Sequence, residues 1–488
     1  MKNIFKDKIS CSKNANLAIN FKFLIVIPFL VISSVCYSQK SEREDYIILS
    51  GKIENISKQV NGKKSIQLTF PFYIKNKKSK DIILAEDGTF KDSVNSAEGL
   101  YYIFDGANQI QMYLRESKHY QINYDASHFM SGGPVTLDGY DVDVNKYFIE
   151  KMQKRIYVDR LNTQRSEEDF RQYLDSLKRI QINRLEKSKL PKDIRLEEAK
   201  SIEYEYLSEL FFFLVQMKDL PLVSLSKKSQ DELNIDYSNE KDYKIYGYYA
   251  KLVYMYYQQK CIDFYGRPRP ENIFTLMPTN VLKQLDSLIP NKYIKNDIIK
   301  LDARYYLELA SDKNAYYNDF KKYYTGSDDE LKESIYETYL RISKLKKGTP
   351  SAEFYNLQDY NGGFKSLKDF RGKYVYIDIW ATWCGNCWGE FPYLKKLEED
   401  YKGENIVFLS LSWDKFEDKW IETIKKEEMG GVQLLAKNTE DPFFVSYAVK
   451  SIPRYILIDP DGLIVDYNAP RPSDSEKIEM LFKNVKKQ

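Results

Sequence analysis

Tyr374-Val375-Tyr376-Ile377-Asp378-Ile379-Trp380-Ala381-Thr382-Trp383-Cys384-Gly385-Asn386-Cys387 carries the sharpest signal in this 488-residue chain. Its first half is an apolar run that reads as a buried strand, and a segment of helical spacing opens at the cysteines. Two cysteines separated by two residues at a strand-to-helix junction are the chemistry of a redox dithiol. Cys384 falls where a helix presents unpaired N–H groups and the positive end of its dipole, which favours thiolate over thiol. Cys387 lies nearly a turn on, close enough to close a small disulfide ring.

Working outward, the chain after Gly348 alternates strand and helix. Strands are expected at 374–380, 406–412, 433–436, 455–459 and 463–468, with helices at 384–401, 415–428 and 474–486. The turn Asp459-Pro460-Asp461-Gly462 joins two of the strands. This predicts an α/β region over 349–488, a mixed sheet with helices available to both faces. From 46 to 140 the pattern is short and alternating, with turn signals at Glu86-Asp87-Gly88, Asp105-Gly106 and Ser131-Gly132-Gly133-Pro134. It predicts a small, sandwich-like all-β domain. From 141 to 348 the period is helical. Ser166-Glu167-Glu168-Asp169 and Ser327-Asp328-Asp329-Glu330 read as helix starts and Gly348 as a helix stop. The aromatic-rich segments 202–217 and 243–264 read as helix–helix core, and Cys261 as a buried filler.

The N-terminus reads as an export signal. Lys2, Lys6, Lys8, Lys13 and Lys22 precede an apolar run at 23–35, and Cys36-Tyr37-Ser38-Gln39 suits cleavage after Ser38. The run of about 13 residues is short of the roughly 20 that a spanning helix needs. Membrane anchoring by 23–37 is the alternative. Removing 1–38 takes the formal charge from +3 to about −1, which argues against a basic nucleic-acid surface. It also removes Cys11 and Cys36. One C-x-x-C pair and the lone Cys261 remain, which is no stapled scaffold.

With this topology, the Trp380–Cys387 run resembles the thioredoxin superfamily, and within it the TlpA/ResA-like periplasmic thiol-disulfide oxidoreductases. The lead-in Ser366-Leu367-Lys368-Asp369-Phe370-Arg371-Gly372-Lys373 fits the same family, as does Ser451-Ile452-Pro453 followed by Tyr455-Ile456-Leu457-Ile458-Asp459. The β and helical regions look like the accessory region that precedes such domains in Bacteroidetes-type chains. The resemblance implies a protein-disulfide reductase with no cofactor. Cys384 is the exposed nucleophile that forms a mixed disulfide, and Cys387 the resolving thiol. Pro453 is the cis-proline, and Trp383, Ile452 and Pro453 are substrate-binding. Asp378, six before Cys384, and Glu390, three after Cys387, are candidate bases for the Cys387 thiol. Bringing a cysteine pKa from about 8.5 to near 7 takes roughly 2 kcal/mol, within reach of a helix terminus. Implied partners are disulfide-containing exported proteins and a membrane thiol reductant as electron donor, in the periplasm.

Asn386 stands where the family often has proline, and Trp388 where a basic residue is common, so the potential is left open. A zinc site would need two more ligands, and 349–488 contains no histidine and no third cysteine. A c-type haem site would need histidine after Cys387, where Trp388 stands. A purely structural disulfide closing so short a loop would stabilise little. The rival of another class is a binding or assembly protein of the cell envelope, in which the dithiol module is accessory.

Overall fold

Period-two alternation organises the N-terminal part of the computed structural model, which describes residues 46–60, 62–70, 78–94, 98–156, 158, 165–266, 273–437 and 441–483. The expected leader, its cleavage site, Cys11, Cys36 and the Arg267-Pro268-Arg269-Pro270 loop lie outside the described residues. Among those described, the strands are β1 (Ile47–Glu54), β2 (Gln59–Val60), β3 (Lys63–Phe70), β4 (Lys78–Ile83), β5 (Thr89–Val94), β6 (Gly99–Phe104), β7 (Gln109–Leu114), β8 (His119–Asp125) and β9 (Val135–Gly139). One sheet has the order β5-β1-β8-β9; another has β2-β3-β6-β7, with β4 paired to β3. Alternate residues Ile47, Leu49 and Ile53 of β1 and Tyr120 and Ile122 of β8 meet Ile66 and Leu68 of β3 and Ile110 and Met112 of β7 in one core. Two sheets around a shared core are what alternating sequence of this kind can build.

At Asp141 the chain turns helical. The helices are α1 (Val142–Gln153), α2 (Glu167–Glu186), α3 (Lys192–Phe211), α4 (Lys227–Glu232), α5 (Glu240–Ile245), α6 (Gly247–Asp263), α7 (Ile273–Leu288), α8 (Lys292–Leu309), α9 (Lys313–Tyr323) and α10 (Asp329–Ile342). Ser166 caps α2, its hydroxyl accepting the Asp169 N–H at 3.1 Å. The cap of α10 is Asp328, one residue beyond the expected Ser327, because the Asp328 carboxylate accepts the Leu331 N–H. Helix α10 ends at Ile342, before Gly348, whose N–H instead reaches Ile464 O at 2.8 Å. Segment 202–217 is α3 continued by a π-helical stretch at Phe212–Met217. Segment 243–264 is broken at Tyr246, where extended backbone separates α5 from α6. Cys261 is a free thiol, fully buried in α6, and burial pushes its pKa up to about 12.

The C-terminal region adds β10 (Leu357–Asp359), β11 (Phe364–Lys365), β12 (Tyr374–Trp380), α11 (Gly385–Asp400), β13 (Ile406–Ser412), α12 (Glu417–Lys426), β14 (Val432–Leu435), α13 (Pro442–Ser446), β15 (Arg454–Ile458), β16 (Ile464–Asp466) and α14 (Ser475–Phe482). Its sheet has the order β11-β10-β14-β13-β12-β15-β16. β12 is parallel to β13 and antiparallel to β15. Every residue of β12 is buried, as a strand covered on both faces requires. Gly462 closes the Asp459–Gly462 turn at φ +78°, and a Cβ there would overlap the Arg371 guanidinium. β10, β11 and α13 were not anticipated, being too short to show a period.

Side chains of β12 alternate between two layers. Tyr374 and Tyr376 pack with Leu394 and Leu397 of α11 and Ile478 and Phe482 of α14. Val375, Ile377 and Ile379 join Trp420 of α12 and Phe443 and Phe444 of α13. That second cluster runs on without a break into Leu252 of α6, Ile298 of α8 and Ile335 of α10. The helical region and the C-terminal α/β region therefore share one hydrophobic core.

Candidate active site

β12 ends at Trp380, and the chain crosses Ala381-Thr382-Trp383 to enter α11. The Cys384 N–H bonds Ala381 O at 3.0 Å, closing a turn that delivers Cys384 to the cap position. Its Sγ accepts the Cys387 N–H at 3.1 Å, so the sulfur takes the place of an ordinary capping oxygen. The two cysteines are joined in a disulfide with Cα atoms 5.3 Å apart. Cys384 is 6% exposed and Cys387 1%. The sequence reading made Cys384 the exposed member; it is the more accessible of the two, but only its edge reaches solvent. Trp383, beside it, is 66% exposed.

The crossing is held from the neighbouring strand end. Asp414, buried after β13, accepts the Thr382 N–H at 2.9 Å and the Thr382 hydroxyl at 2.7 Å. Ser412 Oγ donates to the same carboxylate at 2.7 Å. Trp388, where a basic residue was the family expectation, donates its indole N–H to Thr382 O at 3.2 Å and sets its ring edge-on to Phe391. Trp388 thus straps the start of α11 to the loop before it. Asn386 is exposed. Asp414 was not singled out from sequence, and its only trace there is an acid two residues beyond the end of a buried strand.

Asp378 lies on the β12 face shared with Tyr376, beneath α11, as alternation requires. It is buried, and neither carboxyl oxygen has a hydrogen-bond partner among the described residues. Burial, reinforced by the Glu390 and Glu398 charges on α11, pushes its pKa up to about 8. Glu398 is itself pushed up to about 7 by burial. Glu390 is buried as well, but its carboxylate is occupied. The Ser473 N–H bonds one oxygen at 3.0 Å, the Ser473 hydroxyl bonds the other at 2.9 Å, and Arg471 stands 3.6 Å from it. Of the two acids singled out from sequence, one is unengaged and one is tied to the loop before α14.

The Ile452–Pro453 peptide is cis. Arg454, the next residue, pairs with Ile379 across the sheet, so the register brings Pro453 alongside Trp380 at the end of β12 from which the cysteine loop departs. Ile452 is partly buried against the shared core. Strand pairing thus brings the two cysteines, Asp378 and Pro453 to one end of the sheet. Among the described residues, no group of histidine, cysteine and acidic side chains is placed to hold a metal ion.

Residues 346–481 match the Redoxin family. Over 123 residues the chain is 30% identical to the thiol-disulfide oxidoreductase ResA of a Bacillus cereus strain, covering 69% of that protein and 25% of this one. Its identity to the Geobacillus kaustophilus ResA is also 30%, over 136 residues, covering 73% of that protein and 26% of this one. The chain belongs to the ResA-like thiol-disulfide oxidoreductases. Among solved structures it is similar to the thioredoxin domain of a Bacteroides vulgatus thiol-disulfide oxidoreductase. That likeness is 30% in sequence with a TM-score of 0.27, covering 29% of this chain and 99% of the other. The family likeness lies in the C-terminal α/β region, which has the thioredoxin fold.

Proposed function

We propose that this oxidoreductase is exported and reduces protein disulfides through Cys384 and Cys387. The observation that carries the reading is the dithiol at the cap of α11, with the Cys387 N–H directed at Cys384 Sγ. A thiolate at that atom gains the N–H and the helix dipole that an ordinary thiol lacks. In the reducing cycle the Cys384 thiolate attacks one substrate sulfur, a mixed disulfide forms, and the other substrate sulfur leaves as thiolate. Cys387 then gives up its proton and attacks Cys384 Sγ. The second substrate sulfur leaves, and the enzyme is left as the disulfide.

Asp378 is the acceptor we assign to the Cys387 proton. The oxidised form favours a neutral Asp378, which is the protonation state that step would leave behind. Glu390 is assigned to positioning, through Ser473 and Arg471, in place of a base. Trp383 and the Ile452–Pro453 segment form the edges against which an extended substrate lies. A membrane thiol reductant would return electrons to the disulfide. The leader at 1–38 carries the export part of the proposal, and the N-terminal sequence of the protein recovered from the cell envelope tests it. For the chemistry, Cys384→Ser should abolish reduction of an insulin-type disulfide while the fold survives. Cys387→Ser should accumulate mixed disulfides with exported cysteine proteins. A Cys384→Ser protein that still reduces insulin would end the proposal.

A further inference from the structure

Arg454 is the residue immediately after Pro453, and its side chain is more than nine-tenths buried. One of its nitrogens bonds Glu308 Oε2 at 3.1 Å, and another bonds Asn468 Oδ1 at 2.9 Å. Glu308 is equally buried and belongs to the last turn of α8, in the helical region. The end of α8 is itself secured by Lys313, whose ammonium bonds the Glu308 carbonyl at 2.8 Å and also the Ala310 carbonyl. One helix outside the thioredoxin fold is thereby tied to the residue that follows the cis-proline.

A buried ion pair of this kind contributes little net stability, because desolvating two charges offsets most of their attraction. What it supplies is register. Arg454 opens β15 opposite Ile379, so fixing its guanidinium from α8 and from Asn468 fixes where the Ile452–Pro453 segment stands relative to the cysteine loop. We propose that Glu308 is a positioning residue for the dithiol reaction, holding Arg454 and the Ile452–Pro453 edge in place for polypeptide substrates. The proposal rests on the reductase reading above. A small disulfide needs only the sulfur atoms, whereas a polypeptide must lie along that edge, so the tie bears on one substrate class alone.

The test is the double variant Glu308→Leu/Arg454→Met, which removes both charges and keeps apolar volume, with Glu308→Gln as the milder single change. KM for insulin reduction should rise about tenfold with kcat unchanged. Turnover of a small aromatic disulfide and the potential of the Cys384/Cys387 pair should stay at the unsubstituted values. A folded double variant with unaltered KM for insulin overturns the proposal, as does a parallel loss on both substrates with a shifted potential. If the unsubstituted protein reduces neither substrate, the reductase reading fails separately. Amide hydrogen exchange over 452–456 then decides whether the tie orders the edge: faster exchange in the double variant supports it, and unchanged exchange overturns it.

Discussion

Replacing Asp378 with asparagine should stabilise the oxidised protein at neutral pH, and by an amount that grows with pH. In the folded state the carboxyl is buried without a hydrogen-bond partner among the described residues, and its pKa is pushed up to about 8 from an ordinary 3.8. Between those two values the folded state keeps the proton and the unfolded state has released it. Folding stability therefore falls with rising pH, by about 1.4 kcal/mol per pH unit for one group. Summed from 3.8 to 7, the loss is about 4 kcal/mol, and it levels off above pH 8. Asparagine does not titrate, so the variant escapes this loss. Its unpartnered amide carries a penalty of about 1–3 kcal/mol, but that penalty does not depend on pH.

The slope, not the absolute difference, is therefore the test. All five tryptophans lie between 380 and 420, so their fluorescence reports on the C-terminal region alone. Urea unfolding followed at that signal at pH 5, 6, 7 and 8 gives the stability difference between variant and unsubstituted protein. It should widen by about 1.4 kcal/mol per pH unit from pH 5 to 7 and by about 1 kcal/mol from pH 7 to 8. Glu398, raised to about 7, produces a slope of the same sign in both proteins and cancels in the difference to first order. Parallel curves for the two proteins over this range would mean that Asp378 is already ionised in the folded state. A carboxylate of ordinary pKa is too weak a base to hold the Cys387 proton, so the acceptor role assigned to Asp378 would fall with that result.

Two further outcomes follow from the packing around the site. Asp414→Ala leaves the Thr382 N–H, the Thr382 hydroxyl and Ser412 Oγ without their shared acceptor and should cost about 3 kcal/mol by the same fluorescence-monitored unfolding. A loss below about 1 kcal/mol would show that these donors find other partners. Cys261, fully buried with its thiol pushed up to about 12, should escape iodoacetamide in the native protein at pH 8 and react in urea. Peptide mapping reads this directly, and native labelling of Cys261 would contradict its burial.

What sequence could show here was whatever is written within one element. The seven-residue apolar run of β12 and the cysteines beyond it placed strand, cap and helix to within a residue. The family resemblance, which keeps an acid six residues before the first cysteine, singled out Asp378, and the apolar run around it made that acid a buried one. The helical spacing of α11 likewise placed Glu390 beside Cys387, but not what that carboxylate touches. Ser473 and Arg471 come from a loop more than 80 residues away, and no local period announces them. Asp414 meets Thr382 across 32 residues for the same reason. Alternation in a sheet says which face a residue takes; it does not say which loop closes over that face.

The bearing of the helical region on the site was least legible of all, since Glu308 and Arg454 are 146 residues apart. The sequence marked α8 only as part of a helical stretch from 141 to 348, and Gly348 read as a boundary. Across that point, Gly348 and Ser351 donate to Ile464 and Gly462, so the connecting segment is laid along the C-terminal region itself. The apolar cluster then carries from α6 and α8 to the face of β12 opposite Asp378. An accessory binding module hung on a linker would need neither a shared core nor a buried charge beside Pro453. A helical region that fixes one edge of the dithiol site needs both, and on that physical ground we place the helices with the chemistry.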